Sequence, residues 1–181
     1  MESRIPIAVI GVGEHGKNHA RALKQIEGAE LAGVFDTVEE RARDAARELG
    51  VRAFETLDEA LAAARAVSVV IPTRGHAELA GRAFDRGIDV LLEKPISRTL
   101  EEADDLIQRA EAEKRILQVG HVERFNPGVV AAKAITRNPV FFEVHRLGVF
   151  SPRSLDVDVV FDLMIHDLDI NFYVSLTSAA S

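Results

Sequence analysis

Lys94 is the first residue whose type and place suggest chemistry. It sits in Glu93-Lys94-Pro95, directly after the apolar run Ile88 to Leu92. That run reads as a buried strand, and open α/β sheets bind ligands at the carboxyl ends of such strands. A lysine there is a cationic donor for a developing alkoxide; a solvated surface lysine is the plainer alternative. Asp162 and His166 offer a second group. They stand four apart in a segment of helical spacing, 158–176, and so share one face. Oxidising a secondary alcohol needs a base for the hydroxyl proton and a cation near the oxygen. His166, oriented by Asp162, is the candidate base, because histidine as a residue type moves protons near neutral pH. Two other readings of His166 stay open. One is a metal set with Asp162 and Asp169, disfavoured because only one histidine is at hand. The other is a hydrogen-bonded core residue. No metal is expected.

Hydride chemistry needs an acceptor, and the N-terminal segment supplies a place for one. Gly11-Val12-Gly13-Glu14-His15-Gly16 matches G-x-G-x-x-G between a strand-like run and a helix-like one. Gly11 allows the tight turn, Gly13 lets a pyrophosphate approach the backbone, and Gly16 lets helix and strand pack. The helix start then offers N–H groups to the phosphates. Asp36 closes the second strand, twenty residues after Gly16, where an acid accepts hydrogen bonds from a ribose diol. It would repel a 2′-phosphate, so NAD is expected rather than NADP. Capping the helix over 38–49 is the other reading of Asp36, and both can hold. Pro72 and Thr73 close the fourth apolar run and should line the same crevice. His76 either faces the cofactor or is an exposed histidine at a helix start.

The elements that must position these groups alternate. Strands are expected at 5–10, 30–35, 52–54, 67–71, 88–92 and 116–120. Helices are expected at 15–26, 38–49, 56–64, 75–86 and 99–114. Thr56 with Glu59, and Thr99 with Glu102, read as capping boxes. Continuous apolar strands separated by helices imply an α/β, doubly wound parallel sheet of the Rossmann type. The pattern changes after Gly120. A turn-rich bridge at 125–128, a helix at 129–136, a strand at 140–147, a loop and the helix at 158–176 read as the beginning of a second, α+β substrate domain. The boundaries are 1–122 and 123–181.

Composition narrows the classes. The 181 residues are 47% hydrophobic, enough for one buried domain and part of another. A net charge of −7 without a basic stripe argues against nucleic acid. No cysteine is present, which excludes disulfides and thiolate metal sites. The apolar runs are too short for a membrane span, and the strand-like start leaves no room for a signal peptide. A cytoplasmic location is expected.

The glycine fingerprint, Glu93-Lys94-Pro95 and Asp162-x-x-x-His166, in that order, resemble the glucose–fructose oxidoreductase, inositol dehydrogenase and MocA family. The stretch Gln118 to Pro127 is similar to the segment joining that family's two domains. The resemblance runs from residue 5 to about 170. It implies Lys94 and His166 acting on a sugar or cyclitol hydroxyl with Asp162 assisting. It also implies Glu14, His15, Glu93, Lys94 and Pro95 at the cofactor, and His121, Arg124 and Asn126 near the substrate. Val119 through Asp169 looks most like the UDP-N-acetylglucosamine 3-dehydrogenases. Members continue into a large, mostly antiparallel sheet and are often oligomers, whereas this chain reads as truncated after the Asp-x-x-x-His helix. Three readings follow: an NAD-dependent dehydrogenase of sugar, nucleotide-sugar or cyclitol hydroxyls; an NAD(H)-binding module without turnover; or a partner-docking pseudo-enzyme.

Overall fold

The structure, a computed structural model, describes residues 4–145 and 160–176, with the side chains of 161, 162 and 176 excluded. Two compact units divide the chain, Met1–Gly120 and His121–Ser181.

The first unit carries five parallel strands: β1 (Ile5–Ile10), β2 (Ala29–Phe35), β3 (Ala66–Val69), β4 (Asp89–Leu92) and β5 (Leu117–Val119). Their order is β2-β1-β3-β4-β5, so the sheet grows outward in both directions from β1. Neighbouring parallel strands need crossovers, and helices supply them: α1 (Glu14–Leu23), α2 (Glu39–Leu49), α3 (Leu57–Ala62), α4 (His76–Phe84) and α5 (Leu100–Ala112). The inner strands are buried on both faces. Ala8 and Ile10 belong to a core with α3, α4 and α5 residues such as Leu61, Phe84 and Leu106. Val9, between them, belongs to the opposite core with Ala20 and Leu23 of α1 and Ala42, Ala45 and Leu49 of α2. This explains why the inner strands read as mostly apolar runs rather than as alternating ones. Phe84 is fully buried, and its truncation to alanine should cost about 3–5 kcal/mol.

The segment 52–54, expected as a strand, makes only one parallel bridge, Val34 with Ala53. Two hydrogen bonds of 2.9 Å hold it, Val34 N to Arg52 O and Phe54 N to Val34 O. The left-handed cap at Gly50 and the helix cap at Thr56 leave too few residues between them for a longer ladder. Both capping threonines accept the expected hydrogen bond, from Glu59 N and from Glu102 N. The returning glutamates reach one residue further than the expected box, to the N–H groups of Glu55 and Arg98.

The second unit contains α6 (Pro127–Ile135), a π-helical turn at Val160–Met164 and α7 (Ile165–Leu176). Asn126 caps α6, accepting from Gly128 N at 2.9 Å. Residues 140–145 form no strand, against the expectation for 140–147; Arg146 and Leu147 lie outside the described residues. A strand needs a ladder partner, and none is present for this segment among the described residues. Of the side chains described in this unit, Asp169 and Val174 are the buried ones. No helix among the described residues is long and apolar enough to cross a membrane.

Candidate functional site

The strand ends of the first unit bring the fingerprint and the Glu-Lys-Pro triplet to one edge of the sheet. Ile10 pairs with Val69, and Val69 pairs with Leu92. The chain leaves these strands as Gly11, Val70 and Glu93, side by side.

Gly11 has φ +87°, and a Cβ there would lie 2.2 Å from Val70 O. A Cβ on Gly16 would lie 1.9 Å from Gly11 O. Only glycine at both positions lets the turn close against β3 and α1. Gly13 is different: a Cβ on it would meet nothing within 4 Å. It opens α1 with no side-chain cap. A helix start of this kind presents backbone N–H groups to an anion. Glu14 and His15, in its first turn, are exposed.

A cleft of about 520 Å³ lies beside this turn, lined by Gly11, Gly13, Asp36, Thr37, Pro72 and Gly75 among others. Asp36 is bonded on both oxygens. Oδ2 accepts from Val12 N at 2.9 Å and Oδ1 from Val38 N at 2.8 Å. The second bond turns the chain just before α2, whose N-cap position falls on Val38. Each carboxylate oxygen retains a second lone pair for a ribose hydroxyl. The glycine turn, the uncapped helix start and the acid at the second strand end fit a dinucleotide such as NAD. Arg41 and Arg74 also line the cleft.

Thr73 is buried in a short 3-10 turn after Pro72. His76 is neither exposed nor on the cleft wall. It is 1% exposed, with Nδ1 2.9 Å from Pro95 O and Nε2 2.9 Å from Ile71 O. An N–H on either ring nitrogen has a carbonyl to meet, so His76 ties the turn after β3 to the Glu-Lys-Pro turn.

Glu93 points back under α1. Its Oε1 is 3.0 Å from His19 Nε2, and its Oε2 is 3.9 Å from His15 Nε2. His19 Nδ1 is 2.9 Å from Ser68 Oγ. Gly120 leaves room for this carboxylate, since a Cβ there would lie 2.7 Å from Oε1. Burial pushes the Glu93 carboxyl up, but contact with His19, the charge of His15 and the Lys94 N–H outweigh it and hold it below the usual glutamate range. Lys94 follows, half-buried, with a cis peptide bond to Pro95. The sequence reading missed His19 and Ser68. The signal for His19 was available: it lies four residues after His15 on the same helix face.

The second unit gathers its own polar groups. Arg124 Nε donates to both oxygens of the buried Asp169, at 3.0 and 2.8 Å, and its Nη2 donates to Oδ1 as well. The Asp169 hydrogen bonds, working against burial, raise the Arg124 pKa and keep it charged. His121 Nδ1 is 3.8 Å from Asp169 Oδ1. Arg124 and Lys133 both lie over the Tyr173 ring, at 5.6 and 3.5 Å from its centroid. Asn126 donates to Glu123 Oε2 at 3.1 Å in addition to capping α6. His166 is half-buried on α7. The π-helical turn ends just before α7, so the spacing from residue 162 to 166 is not that of a plain α-helix. The Asp162 side chain lies outside the described residues.

Residues 5–121 match the oxidoreductase family named for Gfo, Idh and MocA, with its NAD-binding Rossmann fold. UDP-N-acetylglucosamine 3-dehydrogenase of Acidithiobacillus ferrooxidans is 44% identical over 168 residues, 92% of this chain and 53% of the relative. The scyllo-inositol 2-dehydrogenase (NAD(+)) of Bacillus subtilis is 31% identical over 96% of this chain and 55% of its own length. Among solved structures, UDP-N-acetylglucosamine 3-dehydrogenase from A. ferrooxidans superposes with a TM-score of 0.89 at 43% identity, covering 95% of this chain and 57% of that one. GenD2 from gentamicin A biosynthesis, in complex with NAD, gives 0.85 at 27% identity, covering 98% and 55%. The chain thus spans about half the length of the relatives it matches. With its five-stranded parallel sheet, its glycine turn and this match over residues 5–121, the chain belongs to the Gfo/Idh/MocA family of NAD-binding oxidoreductases.

Proposed function

We propose that this chain carries the NAD-binding domain and the first substrate-domain elements of a dehydrogenase acting on a sugar hydroxyl. UDP-N-acetylglucosamine, at C3, is its substrate in this reading, and the cytoplasm its setting. The observation that carries it is the common strand edge, where Lys94 leaves the sheet beside the glycine turn. The identity to a UDP-N-acetylglucosamine 3-dehydrogenase supports the substrate.

NAD, when bound, accepts or returns the hydride. The chain's own residues do the rest. The glycine turn and the α1 start hold the diphosphate, and Asp36 accepts from the adenosine ribose. Lys94 Nζ stabilises charge on the reacting oxygen. His166 takes the hydroxyl proton, with Asp162 assisting. His121, Arg124 and Asn126 are assigned to the substrate side.

The test is NAD reduction by this chain with UDP-N-acetylglucosamine and, in parallel, with inositols. Reduction with the nucleotide sugar is expected, and Lys94→Ala should lower turnover by roughly 10²–10³ while leaving NADH affinity nearly unchanged. Turnover with inositol alone would overturn the substrate. Equal loss of turnover and affinity would overturn the role of Lys94. A second reading is an NAD(H)-binding unit without turnover. Tight NADH binding with no reduction of NAD by any of these substrates would select it.

A further inference from the structure

We propose that His15, His19 and Glu93 form a binding site for a divalent transition-metal ion of the zinc class. The two histidines sit four apart on α1 and share a face, with ring centroids 5.4 Å apart. Glu93 approaches them from the end of β4. One ligand atom from each residue lies within 4.8 Å of the others.

Three features point to a cation rather than to a plain ion pair. Glu93 is 7% exposed, and its Oε1 accepts no aligned hydrogen bond although His19 Nε2 is only 3.0 Å away. A buried carboxylate oxygen without an aligned donor is costly, and a bound cation relieves it. His19 is already oriented as ligating histidines are: Ser68 Oγ, 2.9 Å from Nδ1, leaves Nε2 to face Glu93. The third ligand can adjust, because the His15 side chain is 66% exposed. Donors around a tetrahedral ion with bonds of about 2.1 Å lie about 3.4 Å apart. His15 Nε2 lies 3.9 Å from Glu93 Oε2 and His19 Nε2 lies 3.0 Å from Oε1, so rotation of the exposed His15 ring is what brings one atom of each residue to that spacing.

Two imidazoles and one carboxylate suit zinc or cobalt better than magnesium or calcium. A fourth position is left for water. The ion would fasten the turn before Lys94 to the helix that opens at the glycine fingerprint. This consequence rests on the proposed function; the binding of the ion does not.

The 181-residue chain, freed of metal, is titrated with Zn(II) by calorimetry and with Co(II) by visible absorption. One ion per chain is expected, with Co(II) bands of a four-coordinate site. His15→Ala should weaken binding at least about tenfold, and His19→Ala similarly. His145→Ala, at an exposed histidine 2.9 Å from Glu143, should leave the affinity unchanged. The exposure of His15 keeps its variant folded, and NADH binding is read separately. Absence of stoichiometric binding at micromolar metal, or affinity untouched by His15→Ala, would overturn the site. Neither result depends on turnover.

Discussion

The Asp36 carboxylate accepts the backbone N–H of Val12, 24 residues earlier, at 2.9 Å. The acid at the end of the second strand therefore braces the glycine turn itself, and its other oxygen fixes Val38 before α2. Asp36→Ala removes an ionised acceptor from two N–H groups. It should cost about 1.5–3 kcal/mol of stability and weaken NADH binding. It should also narrow the preference for NADH over NADPH, because Arg41 and Arg74 remain on the cleft wall. Denaturant melts and parallel titrations check both; unchanged stability and affinity would remove Asp36 from this role.

Gly16 tests the packing of the same turn. A Cβ there would come within 1.9 Å of Gly11 O, a backbone atom that cannot swing aside. Gly16→Ala should destabilise the unit by roughly 1–3 kcal/mol and abolish NADH binding. Gly13→Ala, where a Cβ meets nothing within 4 Å, should leave stability nearly unchanged and impair only the binding of a diphosphate. A larger stability loss at Gly13 than at Gly16 would contradict this geometry.

The sheet and the fingerprint were legible because they rest on local rules. Runs such as 67–71 and 88–92 are apolar but for Ser68 and Asp89, as strands covered on both faces tend to be. The Thr56 and Thr99 caps were equally readable, since a cap spans only three residues. What failed depended on contacts distant in sequence. His76 looks like a surface histidine at a helix start, and nothing local shows that the Ile71 and Pro95 carbonyls enclose it. The segment 140–145 has strand alternation, but a strand also needs a partner, which alternation does not supply. The Arg124–Asp169 pair spans 45 residues, so no local pattern exposes it.

Glu93 should make stability depend on pH in the acid range. Its carboxyl titrates below the usual glutamate range in the folded protein. A group depressed in this way stabilises the fold above its unfolded pKa of about 4.3, and the contribution is lost as pH falls through the folded value. Wild type should therefore exceed Glu93→Gln in stability at neutral pH, with the gap closing in acid. Denaturant melts from neutral to acid pH check it. A gap that widens in acid would reverse the sign argued here.

Arg124 separates a structural role from a substrate one. Asp169 is buried, and removing its guanidinium partner leaves the carboxylate uncompensated. Because Arg124 is 40% exposed, the cost of Arg124→Ala should stay near ~2 kcal/mol, below that of a fully buried pair. Hydrogen exchange should show faster opening of residues 165–176, with NADH affinity unaltered. Unchanged protection in α7 would leave substrate binding as the role of Arg124.

Titration of the 181-residue chain with NADH, and in parallel with NADPH, tests the central claim most directly. Saturable binding with NADH the tighter ligand is expected from the glycine turn, the α1 start and Asp36. Binding of neither nucleotide, or a preference for NADPH, would contradict it.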